Sequence, residues 1–268
     1  MSDAALEGMI EMYCKELRLP GMRTSYEELA RDALDNGISP MRFLLSCLEH
    51  ESVTRKQRQL QSRMKAAKFP GEKTLDSFDF SLIPELPRAK VLSLAEGSYI
   101  QQKENILCLG PSGTGKTHIA IALGISAIEN GYRARFIRTV TLAQELRQAQ
   151  QEVRLNRYLK SWHKMDLVIL DELGYIQLGP GAPLLFQFVA DRYENGSIMV
   201  TSNLDFSHWE EIFGSAALTT ALLDRLTHRS HILLFRGESH RFRESKHRLA
   251  ESDTGILEHL SKGQDSGQ

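Results

Sequence analysis

Asn105-Ile106-Leu107-Cys108-Leu109-Gly110-Pro111-Ser112-Gly113-Thr114-Gly115-Lys116-Thr117 reads as a buried apolar strand that breaks into a glycine-rich turn. A helix opens directly behind it, with His118-Ile119-Ala120-Ile121-Ala122-Leu123. From Gly110 to Thr117 the chain fills G-x-x-x-x-G-K-[ST], the phosphate loop of nucleotide hydrolases. The chemistry explains the residue types. Glycines let backbone N–H groups turn inward around an anion, and the helix N-terminus adds partial positive charge. Lys116 is placed to reach the β- and γ-phosphates and Thr117 to offer its hydroxyl to Mg²⁺. The candidate nucleotide-binding set is therefore Gly110, Pro111, Ser112, Gly113, Thr114, Gly115, Lys116, Thr117 and, in the first helical turn, His118.

A second stretch strengthens that reading. Asp166-Leu167-Val168-Ile169-Leu170-Asp171-Glu172 is a continuous apolar run, as a central parallel strand is, and it ends in two acids. The carboxyl end of such a strand is the ligand edge of an open α/β sheet. Asp171 is expected to hold Mg²⁺ through water, and Glu172 to orient and deprotonate an attacking water. Further strands are expected at Arg133–Ile137, at Ser197–Val200 and at His231–Phe235. The strand from Ser197 runs out into Thr201-Ser202-Asn203, where a polar residue can touch a γ-phosphate or its water, or simply make a turn.

Around this core the expectations are helical. Residues 1 to about 70 carry three apolar-faced helices: one with Leu6, Ile10, Tyr13, Cys14 and Leu17; one capped by Ser25 with Glu28 and closed at Asn36-Gly37; one opening at Ser39-Pro40. The third turns basic, with Arg55, Lys56, Arg58, Arg63, Lys65 and Lys68 and no acid among residues 55–68. That run reads either as a solvated helix end or as a surface that tracks nucleic-acid phosphates. Phe69-Pro70-Gly71 breaks the helix. Thr74–Phe80 is a linker with two aromatics, placed either to pack on an adenine ring or in the core, and a helix follows Pro87. Thr139–His163 is a helical stretch longer than a crossover needs, with Leu142, Leu146, Val153 and Leu159 on an apolar side and Arg147, Arg154, Arg157 and Lys160 elsewhere. Ser207 with Glu210 predicts another helix start, then comes the stretch Leu218–Leu226, and a final helix is expected over Glu238–Ala250. The expected domains are residues 1–72 (helical, DNA or partner binding), 73–250 (ATPase) and 251–268 (a polar tail).

Composition narrows the class. Thirty-three Lys and Arg against 34 Asp and Glu leave a net charge near −1, so any nucleic-acid surface comes from local clustering. Three cysteines without C-x-x-C spacing argue against a disulfide framework or zinc site and suit a reducing cytoplasm. No apolar run approaches a membrane span and no signal-peptide pattern is present.

The phosphate loop, the LVILDE strand, the TSN strand end and ALLDRLTHRSHILLFRGESHRFRE together resemble the IstB-like insertion-sequence ATPases. That family is related to the bacterial replicative helicase loaders and to the initiator branch of the AAA+ ATPases. The resemblance covers nearly the whole chain and implies an α/β, three-layer αβα core with a parallel sheet behind a small all-helical N-terminal domain. It implies ATP and Mg²⁺ as cofactors, and double-stranded DNA, a cognate transposase and further copies of the chain as partners. By resemblance, Lys116 and Thr117 match Walker A, Asp171 and Glu172 match Walker B, and Asn203 matches the first sensor. Arg225, in Asp-Arg-Leu, matches the arginine finger that reaches a neighbour's ATP, with Arg229 as a second candidate. Arg241 falls at the second sensor, although His240 stands where family members often carry Tyr. Arg147, Arg154, Arg157 and Lys160 fall on the element that lines the DNA channel. The expected function is an ATP-dependent, DNA-binding ATPase that assists transposition. A helicase loader and a small-molecule P-loop kinase are the rivals. The kinase reading lacks a second concave substrate site.

Overall fold

In a computed structural model, residues 2–237 are described. The chain divides into two compact units, one ending at Lys65 and the other starting at Ala66.

The first unit is helical: α1 (Asp3–Glu16), α2 (Pro20–Asp35) and α3 (Pro40–Ala67), the last running two residues into the second unit. Asn36-Gly37 closes α2 as expected, with Gly37 at φ +60°. The start of α2 corrects the sequence reading. Ser25 does not cap it. Helix begins five residues earlier, at Pro20, and the Ser25 hydroxyl donates to the Gly21 carbonyl inside it (3.0 Å). The cap comes instead from α3. The buried Glu51 carboxylate accepts from the Gly21 N–H (2.6 Å) and the Met22 N–H (3.0 Å) and is held by Arg55 at 2.6 Å. A carboxylate there satisfies two orphan donors and meets the positive end of the helix dipole. Burial pushes the Glu51 carboxyl up. Arg55 and the two N–H groups outweigh it and hold the group below the usual carboxylate range.

The second unit is built on five parallel strands: β1 (Asn105–Leu109), β2 (Ala134–Arg138), β3 (Leu167–Leu173), β4 (Ser197–Ser202) and β5 (Ser230–Leu234). Their order is β2-β3-β4-β1-β5. Alternation along each strand feeds two faces. Leu107, Leu109, Val168, Leu170, Ile198 and Val200 enter one apolar cluster with Trp162, Phe188 and Trp209. That cluster is supplied by α7 (Thr139–Gln151), α8 (Leu155–Trp162), α9 (Ala182–Arg192), α10 (Trp209–Phe213) and α11 (Ala216–Thr227). Ile106, Cys108, Ile169 and Met199 alternate with those residues and are fully buried on the opposite face. α6 (Lys116–Glu129), with α4 (Arg88–Ala95) against it, lies on the sheet outside that cluster, and Ile169 reaches Gly124 of α6. The short α5 (Ser98–Gln101) leads into β1. The result is the three-layer αβα arrangement expected.

Two further local expectations fail. The stretch 139–163 is a helical pair broken at Val153, which sits at φ +55° and is 94% exposed rather than on the apolar side. Ser207 lies in a 3-10 turn and caps nothing, its hydroxyl facing the neighbouring His208 ring at 3.2 Å. The cap with a side-chain bond in this region is Ser215, which accepts from the Leu218 N–H and starts α11.

All three thiols are buried and free, Cys14 and Cys47 in the helical unit and Cys108 in β1. Burial pushes the Cys108 thiol up to about 12. Among the described residues no helix is long and apolar enough to cross a membrane. The helix expected over Glu238–Ala250, Arg241 and the expected tail 251–268 lie outside the described residues.

Candidate functional site

β1 delivers the loop Gly110–Gly115 to the N-terminus of α6, which Gly115 opens at φ +90°. Any larger residue at Gly115 would drive its Cβ to 2.6 Å from the Phe78 ring, so the linker before the sheet packs directly on the phosphate loop. Phe78 in turn stacks edge-on against Phe80 (4.9 Å) and the His118 ring (5.1 Å). His118 Nε2 lies 2.8 Å from the Thr74 carbonyl. A carbonyl only accepts, so that nitrogen carries the proton. Burial pulls the His118 pKa down against this bond, favouring the neutral ring. Phe78, Phe80 and His118 thus form an aromatic wall beside the loop, of the kind a flat nucleobase packs on.

Lys116 is buried, and its ammonium donates to the Gly110 and Pro111 carbonyls, both at 2.6 Å. It is held within the loop by groups that phosphate oxygens would replace. Thr114 braces the loop by donating to the Pro111 carbonyl (2.8 Å). At the loop's tip the Ser112 hydroxyl meets the Tyr175 hydroxyl at 2.6 Å. Tyr175 comes from the segment after β3, so that segment touches the loop across the site.

The acids of β3 join this loop through a hydrogen-bonded chain. Thr117 donates to Asp171 Oδ1 at 2.9 Å, and Thr201 of β4 donates to the same oxygen at 2.6 Å. The Thr201 hydroxyl then accepts from the Glu172 backbone N–H at 2.9 Å. Thr139 donates to the Asp171 carbonyl oxygen at 3.0 Å. Asp171 is 3% exposed, whereas Glu172 is half-exposed and sits at φ +61°, a left-handed conformation uncommon for a residue with a Cβ. Glu172 falls in the stretch between Leu170 and Leu173 where β3 shifts register against β4, and Arg138 at the end of β2 approaches its carboxylate at 3.6 Å. Asn203 follows β4, and its side-chain oxygen is buried without a hydrogen-bond partner beside Gly174. A buried orphan acceptor among these groups suits a donor such as water.

The residues present fit Mg²⁺. The Thr117 hydroxyl and the Asp171 carboxylate are hard oxygen donors brought to 2.9 Å of one another beside a phosphate-type loop, the donor set this ion takes together with substrate phosphates.

Arg225 lies elsewhere. It stands near the C-terminus of α11, donates to the Ala221 carbonyl (2.8 Å) and lies over the Phe186 ring (4.8 Å). With Arg229 it lines a cavity at the amino end of β1, the opposite end from the phosphate loop. Of the basic candidates, Arg55 is tied to Glu51 and to the Arg18 carbonyl, while Arg154 pairs with Glu152. Arg58, Lys65, Arg147, Arg157 and Lys160 are exposed and Arg63 is half-buried.

Thr201, Thr139, Arg138 and Tyr175 are site residues that motif reading does not pick out. Only Thr201 has a signal in the sequence, as the first letter of the TSN strand end.

Residues 12–248 match the IstB-like ATP binding protein family. The chain is 43% identical over 238 residues to a protein of insertion sequence IS5376 in Geobacillus stearothermophilus, named for ATP binding, with 88% of this chain and 95% of that one covered. It is 39% identical to the correspondingly named IS21 protein of Pseudomonas aeruginosa, over 88% and 90% of the two chains. Among solved structures it is similar to AMPPCP-bound DnaA from Aquifex aeolicus (TM-score 0.53, 21% identity, 68% of this chain and 56% of that one). It is also similar to DnaI (TM-score 0.51, 19% identity, 63% and 90%). At those identities the likeness speaks for the fold alone. A match across most of the chain, laid over the loop, the two β3 acids and the β4 strand end, places this protein in the IstB-like ATP binding family of insertion sequences.

Proposed function

We propose that the chain is a Mg²⁺-dependent ATPase that assembles on duplex DNA and assists transposition by selecting the target and recruiting or activating the transposase. The observation that supports it most directly is the chain Thr117–Asp171–Thr201–Glu172, which couples the phosphate loop to the backbone N–H of Glu172, the residue whose carboxylate can take a proton from water. Mg²⁺, when bound, neutralises charge on the β- and γ-phosphate oxygens. Lys116 exchanges its loop carbonyls for those oxygens. Glu172 accepts the proton of the attacking water, and Asn203 offers that water its orphan oxygen. The wall of Phe78, Phe80 and His118 packs the adenine.

Arg225 belongs to the neighbouring copy's site in this reading. β1 is five residues long, roughly 17 Å at 3.3 Å per residue, and Arg225 lies at the far end of it from its own loop. A head-to-tail, heterologous contact brings the far end of one copy to the loop of the next and so builds a ring or helix. ATP then joins the copies. The exposed cations of α3, α7 and α8 provide phosphate contacts along DNA, and hydrolysis releases or remodels the assembly.

The test is size-exclusion with light scattering on wild type and Glu172→Gln, with and without ATP and a duplex of about 50 base pairs, long enough for many phosphate contacts. A large assembly that needs both ligands and is stabilised by Glu172→Gln is expected. A protein that stays monomeric with ATP and DNA, and assembles on a hexameric helicase instead, is a helicase loader.

A further inference from the structure

The cavity at the amino edge of the sheet has a volume of about 280 Å³ and is lined by Lys103, Arg192, Arg225 and Arg229 with one carboxylate, Glu194. Its charges are unequal in role. Arg192 is fully buried and occupied by carbonyls, donating to those of Trp162 and Met165 at 2.9 Å. Lys103 and Arg229 are exposed, and among the described residues neither has an ion-pair partner. Arg192 aside, three cationic residues thus line the cavity against one carboxylate, a balance that suits an anion.

We propose that Lys103 is a second cation delivered, with Arg225, to the triphosphate held by a neighbouring copy. The proposal rests on the head-to-tail reading above. Three observations carry it. Lys103 lines the same cavity as Arg225. It sits at φ +55° in the turn between α5 and β1, a left-handed position where glycine or asparagine is ordinarily favoured, so a long cation stands where the backbone would prefer none. Its frame is also fixed to that of Arg225 through Asn105, two residues on. The Asn105 side chain donates to the Leu226 carbonyl (3.1 Å) and the Arg225 carbonyl (3.4 Å), its oxygen accepts from the Ile198 N–H (2.9 Å), and its own N–H donates to the Arg229 carbonyl (2.8 Å). One buried asparagine thus ties the end of α11 to the start of β1 and holds the two cations on one support. The full length of β1 separates Lys103 from its own Lys116, so it serves another copy's phosphates. A bidentate arginine and a point-charge lysine divide the work as phosphate sites elsewhere do.

Lys103→Gly is the informative variant, because glycine suits the left-handed backbone and the fold is kept, with a melting temperature at or above wild type. Turnover of ATP on duplex DNA is expected to fall by about 10², the scale for losing one preorganised charge donor, while the affinity for a fluorescent ATP analogue holds. Lys103→Arg is expected to keep most of the turnover. Mixing Lys103→Gly with Glu172→Gln restores turnover, because the second protein binds nucleotide, cannot hydrolyse it, and lends an intact Lys103 to the first. A mixture of Arg225→Ala with Glu172→Gln is run beside it. Wild-type turnover by Lys103→Gly alone overturns the proposal. So does a loss that mixing leaves unrepaired while the Arg225→Ala mixture recovers, since Lys103 then acts within its own copy. If neither mixture recovers, the head-to-tail reading falls and takes this proposal with it.

Discussion

The Thr201 hydroxyl does two things at once: it donates to Asp171 Oδ1 and accepts from the Glu172 N–H. It is 1% exposed, so the hydroxyl itself has no water to turn to. Thr201→Val keeps the shape and removes both bonds, taking away the Glu172 N–H's acceptor. ATP turnover is expected to fall ten- to a hundredfold, the range for groups that orient a metal's ligands. Thr201→Ser is expected to restore most of it. Steady-state hydrolysis alongside nucleotide affinity checks this, with affinity the lesser casualty. The sequence shows Thr201 two residues before Asn203 but not what it touches, because its partners come from β3, 30 and 29 residues away. Motif reading locates Lys116, Thr117, Asp171 and Glu172, whose roles follow from local order, and misses side chains that act across strands.

Elements were legible where burial is continuous and illegible where a partner is distant. β1 and β3 announce themselves as apolar runs because parallel central strands are covered on both faces. The start of α2 does not, since its cap is Glu51, 30 residues on, and Ser25 merely has the composition of a cap. Glu51→Ala is expected to cost about 1 kcal/mol or more in the helical unit, as lost helix caps do, read by hydrogen exchange at the Gly21 and Met22 amides. The pH dependence follows from the lowered carboxyl. The folded state binds this proton less readily than the unfolded chain, so the contribution is complete above the ordinary value of 4.5 and is lost as pH falls through the lower folded value. Glu51→Ala is expected to flatten that acid limb.

The join of α9 to β4 is a second element-scale test. Arg192 lies under Gly196, where a Cβ would stand 2.2 Å from its Nη2. Gly196→Ala displaces the guanidinium from the Met165 and Trp162 carbonyls. A loss of about 2 kcal/mol is expected, in the range for overpacking a filled interior, measured as a lower denaturant midpoint with an unchanged slope.

For the whole molecule, charge distribution matters more than charge balance. A chain with net charge −1 has no general attraction for DNA, so the DNA binding proposed above would rest on local cations such as the exposed Arg147, Arg157 and Lys160. Each phosphate neutralised adds about 0.9 to the slope of log affinity against log salt. The double variant Arg157→Ala, Lys160→Ala is expected to lower that slope by about two, measured by fluorescence anisotropy over a salt series. The fold as a whole was readable because its sheet runs through the loop and acid motifs. The helical unit was readable only in outline, since Leu6, Ile10, Leu17, Leu44 and Leu48 are exposed and the apolar stripes they make do not mark its interior.

The three sheltered thiols give this protein its own clock. Cys14 and Cys47 belong to the helical unit and Cys108 to β1, an inner strand of the sheet. With burial holding Cys108 near 12, almost no thiolate exists while its strand is in place, and an alkylating reagent must wait for the strand to come apart. The time course of labelling at each cysteine therefore times the opening of its own unit, with no dye or tag added, and nucleotide at the loop that follows Cys108 should slow one clock and leave the other two running.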